Sequence, residues 1–134
     1  IHRNFMGYTT HKDVAMIGLG PSAISEVGGV FWQNPSGLRA WYDGTASFRG
    51  HQMSSDDRAR RRTIENLMCT MECDRQGVLD RSDPGILAEL EALNRGGVIA
   101  LSDERIEVLE PLLVRLVAQV FDAYPSTGRY SELF

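Results

Sequence analysis

The sequence predicts an α+β fold that is mainly α and consists of two parts, which meet near Ser54. Residues 1–54 hold eight of the thirteen glycines and seven of the eleven aromatic residues, and they carry a net charge of +1. Residues 55–134 carry a net charge of −5, and their apolar residues recur at the spacing of amphipathic helices. We therefore expect loops and a strand in the first part and helices in the second.

A short apolar run at residues 14–20 ends in glycines. Such a run predicts a strand buried on both faces, as in a parallel sheet, and Gly18 and Gly20 would allow a sharp turn or the close approach of a ligand. The Asn-Pro-Ser sequence at residues 34–36 predicts the start of a short helix through Tyr42. One strand and one short helix do not make a domain, so we expect this part to pack against further protein.

Helical signals begin at Ser54. Either Ser54 or Ser55 is expected to cap a helix whose first turn carries Asp56 and Asp57, which are favourable near the positive end of the helix dipole. Apolar residues then follow at the i, i+3, i+4, i+7 spacing of a buried face. They are Ile64, Leu67, Met68 and Met71.

The rest of the second part predicts a helix, a β-hairpin and a final helix. The first of these begins near Asp83-Pro84 and stops at residues 96–97, which are both glycine. Residues 98–101 and 105–108 predict two strands joined by a Ser-Asp-Glu turn, and the last helix is expected from about Pro111 to Ala123. The apolar residues expected on one face of each helix are Ile86, Leu87, Leu90 and Leu93, and then Leu112, Leu113, Leu116, Val117, Val120 and Phe121. This order of elements is close to a winged-helix arrangement.

The composition argues against several classes of protein. The chain is 43% hydrophobic and 24% charged, with a net charge of −4 and a pI of about 5.3, which argues against disorder and against a basic arm for nucleic acid. Its apolar stretches fall far short of the ~20 residues that span a bilayer, and no signal peptide is visible. Two cysteines cannot form a disulfide framework, which favours a reduced, cytoplasmic protein. Because the chain begins with Ile1 rather than Met, we expect it to be part of a longer protein.

Two residue patterns suggest metal sites, and both are incomplete. Cys69 and Cys73 match the first half of Cys-x3-Cys-x2-Cys, the spacing with which radical enzymes hold a [4Fe–4S] cluster, but the third position is Gln76. Two cysteines on one helix cannot supply three thiolates, so we expect both to be ordinary helix residues. The three histidines are scattered through loops, without the close spacing of a metal site.

A basic run, Arg58, Arg60, Arg61 and Arg62, lies on the first helix of the second part. It is open to two interpretations: an anion site for carboxylates or phosphates, or a solvated face that pairs with nearby acidic residues. The net charge of −5 on this part argues against a DNA-binding winged helix.

Two stretches of the first part, taken together, resemble one protein family. Residues 2–10 have the sequence HRNFMGYTT and residues 18–25 the sequence GLGPSAIS. They resemble the strings HRNFQGYTT and GLGVSAIS of the oxygen-independent coproporphyrinogen III oxidases (dehydrogenases), which are radical S-adenosylmethionine (SAM) enzymes of haem synthesis. The resemblance is sharp over residues 1–73, where it includes Gln33-Asn34, and looser beyond.

The resemblance implies that this chain is the C-terminal portion of such an enzyme. Residues 1–54 would form the C-terminal edge of a partial (β/α) radical SAM barrel, and residues 55–134 a helical, winged-helix-like cap domain with one β-hairpin. The complete enzyme would hold SAM and a [4Fe–4S] cluster. A 5′-deoxyadenosyl radical would abstract hydrogen from a propionate of coproporphyrinogen III, and loss of carbon dioxide would leave a vinyl group, twice per substrate.

The resemblance also assigns candidate site residues. Ile24 matches the family residue that contacts SAM, Gly20, Ser22 and Ala23 would lie nearby, and Phe5 matches an aromatic residue near the cofactors. No catalytic residue and no metal ligand is expected in this segment, so the segment alone should be inactive and should bind no cofactor. Its expected partners are the N-terminal barrel of the same protein and the tetrapyrrole substrate, and neither nucleic acid nor a membrane.

Two other interpretations remain open. One is a non-catalytic, winged-helix-like binding or interaction module. The other is a degenerate paralogue, because the family string has Gln where this chain has Met6.

Overall fold

The computed structural model describes residues 1–4, 6–12, 14–44, 49–75 and 84–124 of the chain. The fold is mixed α+β, with small antiparallel sheets and short to medium helices, as predicted at that level. The chain divides into two compact units, Ile1–Arg58 and Ala59–Phe134. Within the described ranges, no helix has the length and apolarity needed to cross a membrane.

Short antiparallel strands build the first unit. Strand β1 (His2–Asn4) pairs with β2 (Gly7–Thr9), and a second sheet has the order β3-β4-β5, formed by Ile24–Val27, Val30–Gln33 and Arg49–Gln52. Gly28 and Gly29 connect β3 to β4 with φ of 59° and 85°. Two consecutive positive φ angles are what a type I′ hairpin turn requires, which is why a Gly-Gly pair suits this position. No sequence pattern predicted these sheets.

The prediction of a buried strand at residues 14–20 is wrong. Met16 makes a single antiparallel bridge with Glu26, and a continuous strand begins only at Ile24. Val14 and Leu19 are 62% and 87% exposed. A strand needs a neighbour that pairs with its backbone groups along its whole length. Among the described residues the run has only one such pair, so it stays an extended, largely exposed segment.

The two helices predicted before and after Ser54 are present. Helix α1 spans Leu38–Tyr42, and α2 spans Ser55–Thr70. The hydroxyl Oγ of Ser54 accepts a hydrogen bond from the amide N of Asp57 at 3.1 Å, while the Asp57 carboxylate accepts from the Ser54 amide N at 2.8 Å. This reciprocal pair is a capping box, so Ser54 rather than Ser55 is the cap.

Replacing Ser54 by alanine is expected to destabilise the first turn of α2 by about 1 kcal/mol, because the amide of Asp57 loses its acceptor. Hydrogen exchange of the amides at residues 55–58 measures the effect, with Ser55→Ala as the control, since the same change is then made one residue past the cap. Equal exchange in the two variants would contradict the capping role.

The second unit continues with a sheet enclosed by helical segments. After the end of α2 come β6 (Glu72–Asp74), α3 (Pro84–Arg95), β7 (Ile99–Leu101) and β8 (Arg105–Val108). A 3₁₀ turn at Pro111–Leu113 then leads into α4 (Val114–Gln119). The strands are antiparallel in the order β6-β8-β7. The core consists of Leu67, Met68, Cys73, Leu90, Ile99, Ile106, Val108, Val114, Val117, Ala118 and Phe121.

The second helix and the hairpin of this unit confirm the sequence analysis. Helix α3 begins at Pro84, in agreement with the predicted start near Asp83-Pro84, of which Asp83 lies outside the described residues. Gly97 follows α3 with φ of 72°, the left-handed conformation that commonly ends a helix. Ser102, in the turn between β7 and β8, accepts through its Oγ from the amide N of Arg105 at 3.0 Å. The local signals for these elements therefore agree with the tertiary packing.

Cys73 does not lie on a helix, in contrast to the prediction. Helix α2 ends at Thr70, and Met71 adopts a φ of 62° that turns the chain out of the helix. The Met71 carbonyl then accepts from the amide N of Val108 at 2.8 Å, which starts the pairing of β6 with β8. Cys73 is consequently a buried strand residue opposite Ile106.

The last helix is shorter than predicted, and its buried face differs. The side chain of Glu110 accepts from the amide N of Leu112 and caps a 3₁₀ turn before α4 starts. The 3₁₀ turn has fewer residues per turn than an α-helix, which shifts the face that follows it, and Leu112 and Leu116 lie outside, with exposures of 90% and 49%. The buried residues follow the i, i+3, i+4, i+7 spacing from a different starting residue: Val114, Val117, Ala118 and Phe121.

Candidate functional site

Of the residues with a predicted cofactor role, Gly20, Ser22 and Ala23 lie in the turn of residues 18–23, and Ile24 follows at the start of β3. Two buried polar side chains hold this turn. Asn34 is 6% exposed, and its Nδ2 donates to the carbonyl oxygens of Gly18 at 3.2 Å and Gly20 at 2.8 Å. Ser25 is fully buried, and its Oγ accepts from the amide N of Gly18 at 3.0 Å.

Further hydrogen bonds join the turn to the end of β4 and to the residues that follow it. The amide N of Ser22 donates to the Pro35 carbonyl at 2.9 Å, and the amide N of Asn34 donates to the Ala23 carbonyl at 2.9 Å. Gln33 Nε2 donates to the Ser22 carbonyl at 3.2 Å. The backbone of the turn is thus attached at both ends to the segment around Asn34.

The backbone conformation of the turn is unusual at two positions. Gly20 has a φ of 100° and Ser22 a φ of 60°. A serine in the left-handed region is strained, and such strain persists only where surrounding contacts impose it. It is a frequent feature of ligand-binding turns.

The glycines of the turn have different surroundings. A Cβ atom added to Gly18 would lie 2.5 Å from the carbonyl oxygen of Ile24, so the backbone passes too closely there for any side chain. A Cβ atom on Gly20 would meet no atom within 4 Å. Gly18 is therefore required for internal packing, whereas the space beside Gly20 is open.

Hydrogen-bond donors remain available on the turn. Among the residues that the structure describes, the amide N of Leu19, the amide N of Gly20 and the hydroxyl of Ser22 have no hydrogen-bond partner. Ile24, half-buried at the start of β3, adds an apolar side chain beside them. The turn can therefore bind a ligand that has hydrogen-bond acceptors next to an apolar part.

This arrangement brings together Ile24, Gly20, Ser22 and Ala23, all of which the sequence singled out. Phe5 lies outside the described residues. Sequence reasoning missed the roles of Asn34 and Ser25, although both stand within the segments that carried the resemblance. A hint was available, since Asn and Ser are the side chains that most readily hydrogen-bond to turn backbones.

The turn suits one of the two cofactors that the resemblance implies. Free amides, a hydroxyl and an apolar neighbour fit part of SAM. Within the described ranges, no group of three His, Cys, Asp or Glu side chains is placed to hold a metal ion. Cys73 in particular is a poor ligand, because burial, and then the charges of Asp74 and Glu72, raise the pKa of its thiol to about 12.

The Cys73 thiol is expected to resist alkylation in the folded protein. At pH 8 a thiol with a pKa of about 12 is ionised in only about one molecule in ten thousand, and the thiolate is the reactive form. Iodoacetamide labelling followed by peptide mass spectrometry tests this, with the same protein in urea as the control. Equal labelling rates in the two conditions would show that the burial of Cys73 is wrong.

The basic run is divided between different backbone contacts. Arg58 Nη2 donates to the Gly28 carbonyl at 3.4 Å, and a Cβ atom on Gly29 would lie 2.5 Å from the same nitrogen. Arg60 Nη1 donates to the Phe121 carbonyl at 3.4 Å. Each of these two guanidinium groups therefore binds a backbone carbonyl within its own unit.

Known proteins are similar to this chain in sequence and in fold. No family model matches the chain. The chain is 40% identical to the oxygen-independent coproporphyrinogen III oxidase of Cereibacter sphaeroides, over 95% of this chain and 31% of the relative. It is 34% identical to the enzyme of the same name from Salmonella typhimurium, over 92% of this chain and 30% of the relative.

A solved structure is similar as well. Coproporphyrinogen III oxidase from Escherichia coli, described as a radical SAM enzyme, superposes with a TM-score of 0.78 and 34% identity, over 92% of this chain and 32% of that one. The chain thus spans about 30% of the length of the curated relatives it matches. In sequence and in fold, the chain is homologous to the C-terminal portion of the oxygen-independent coproporphyrinogen III oxidases, as the two sequence strings predicted.

Proposed function

We propose that the chain is the C-terminal part of an oxygen-independent coproporphyrinogen III oxidase, a cytoplasmic radical SAM oxidoreductase of haem biosynthesis. The complete enzyme would oxidatively decarboxylate two propionates of coproporphyrinogen III to the vinyl groups of protoporphyrinogen IX. The observation that carries this proposal is the TM-score of 0.78, at 34% identity over 92% of the chain, with the Escherichia coli enzyme.

The contribution of this chain would be to bind and orient SAM at the turn of residues 18–23. Ile24 would contact the cofactor through its apolar side chain, with Gly20, Ser22 and Ala23 close to it. The amide N of Gly20 and the Ser22 hydroxyl would donate to acceptor groups of the cofactor. In the complete enzyme, SAM held there together with a [4Fe–4S] cluster would supply radical chemistry for hydrogen abstraction.

The chain would contribute to two domains of the complete enzyme. Residues 1–54 would be the C-terminal edge of the barrel, and residues 55–134 a winged-helix-like cap over the tetrapyrrole. The sheet order β6-β8-β7, with the β7–β8 hairpin directly after α3, supports the winged-helix-like description. The expected partners are the N-terminal barrel of the same protein and the substrate. Nucleic acid is a poor partner for a domain of net charge −5.

Supplied with SAM, a reductant and an electron acceptor, the complete enzyme, purified without oxygen, is expected to convert coproporphyrinogen III to protoporphyrinogen IX and to release two molecules of carbon dioxide per substrate. The 134-residue chain alone is the matched control and should neither cleave SAM nor form product, because the described residues offer no cluster site. SAM cleavage by the chain alone, or no decarboxylation by the complete enzyme, would contradict the proposal.

A second arm of the same assay separates an active enzyme from a degenerate paralogue. Met6 lies after β1 and is 81% exposed, with its amide N donating to Asn4 Oδ1 at 2.9 Å. Because the side chain is exposed, Met6→Gln should leave the fold intact. An inactive complete enzyme that gains activity with Met6→Gln would identify the chain as part of a degenerate paralogue, and equal activity of both forms would exclude this.

A further inference from the structure

We infer that Asn34 is a positioning residue that, together with Ser25, aims the amide of Leu19 at the cofactor. This inference rests on the proposed function of the turn. Neither Asn34 nor Ser25 contacts the cofactor in this arrangement. They act through the backbone that does.

The geometry of a trans peptide determines the direction of the Leu19 amide. In a trans peptide the carbonyl and the following N–H point in opposite directions, and the described residues contain no cis peptide bond. The Gly18 carbonyl accepts from Nδ2 of Asn34, which is 6% exposed, so this carbonyl points toward the interior. The amide N–H of Leu19, in the same peptide unit, must therefore point away from Asn34.

The neighbouring peptide units make Leu19 the best-defined donor of the turn. The Gly20 carbonyl is also held by Asn34 Nδ2, but the next residue is Pro21, which has no N–H to present. The N–H of Gly18 is already bound to Ser25 Oγ. Ser25 and Asn34 thus hold Gly18 from both sides. The amide of Gly20 is also free, but it shares its peptide unit with the Leu19 carbonyl, which Asn34 does not hold, whereas the amide of Leu19 shares its peptide unit with the anchored Gly18 carbonyl.

Only an amide side chain can make these contacts at residue 34. One nitrogen, with two hydrogens, serves two carbonyl oxygens, at 3.2 Å and 2.8 Å. Asn34→Asp keeps the shape but places an acceptor-only carboxylate against those oxygens, which would turn both peptide units. Ser25→Ala removes only the acceptor of the Gly18 amide and should have a smaller effect.

The test measures SAM binding to the complete enzyme by equilibrium dialysis, together with the KM for coproporphyrinogen III. Asn34→Asp is expected to weaken SAM binding by about tenfold or more, as the loss of a buried polar contact implies. The KM for the tetrapyrrole should stay within about twofold, since a merely structural role would alter both. Asn66→Asp is the matched control, because it makes the same chemical change at an exposed position of α2.

The outcomes separate this inference from the proposed function. A wild-type enzyme that binds no SAM would overturn both. Wild-type binding with an unchanged affinity in Asn34→Asp would overturn the inference alone, as would a parallel loss of SAM and tetrapyrrole binding. If Asn34→Asp does not fold, Ser25→Ala decides, with a weaker SAM affinity at unchanged KM for the tetrapyrrole supporting the inference and an unchanged SAM affinity overturning it.

Discussion

Replacement of Gly18 by alanine is expected to lower the SAM affinity of the complete enzyme by about tenfold to a hundredfold. The added Cβ would lie 2.5 Å from the Ile24 carbonyl oxygen and 2.9 Å from the Ala23 Cβ. These atoms belong to the backbone and to a side chain with no rotatable bonds, so the turn has to open to make room. Forced overpacking of this kind costs about 1–3 kcal/mol. If this cost is paid by the conformation that binds SAM, it corresponds to a loss of affinity of about tenfold to a hundredfold.

Gly37→Ala is the matched control for this experiment. Its Cβ would lie 3.7 Å from the Ala40 Cβ, an ordinary contact, and its φ of −78° suits any residue. Equilibrium dialysis of the two variants measures the effect. An affinity in Gly18→Ala that matches the one in Gly37→Ala would show that the turn does not need its close backbone contact for binding.

Replacement of Leu90 by alanine is expected to destabilise the second unit by about 2–5 kcal/mol. Leu90 lies on α3, is fully buried and belongs to the same core as Leu67, Ile106 and Val117. Removing a leucine side chain from such a position loses its transfer free energy and leaves a cavity that neighbours fill only partly. Hydrogen exchange of the amides in β7 and β8 measures the free energy of opening within the complete enzyme.

Leu112→Ala is the control for the core experiment. The Leu112 side chain is 90% exposed, so its truncation should change the opening free energy by less than about 0.5 kcal/mol. The pair also tests the corrected face of the last helix, since the sequence placed Leu112 with Val117 and Phe121. A larger loss for Leu112 than for Leu90 would contradict the described core.

The elements of the second unit were largely predictable because their signals are local. The cap at Ser54, the apolar spacing of α2 and α3 and the glycines after Arg95 each act over a few residues. The exceptions arise where contacts with residues distant in sequence determine the local secondary structure. The chain leaves the helix at Met71 because the Met71 carbonyl accepts a hydrogen bond from the amide N of Val108, a residue of β8 that is distant in sequence.

The sheets of the first unit were not predictable in the same way. Strand β5 has the sequence Arg-Gly-His-Gln, which has no apolar alternation, and it is a strand because β4 lies beside it. Residues 14–20 show the reverse case, since this apolar run favours a strand but pairs with another segment only at Met16 within the part of the chain that the structure describes. Strand formation depends on the partner as much as on the segment.

The sequence by itself determined which residues make up the turn, because the string at residues 18–25 carries the resemblance with Gly20, Ser22 and Ile24 in place. Only the tertiary structure decided what holds that turn. In the antiparallel register of β3 and β4, Ile24 is paired with Gln33, which places Asn34 beside Ala23 at the base of the turn. A hydrogen bond from Asn34 to Gly18 joins residues sixteen positions apart, and such contacts follow from strand register rather than from any local pattern.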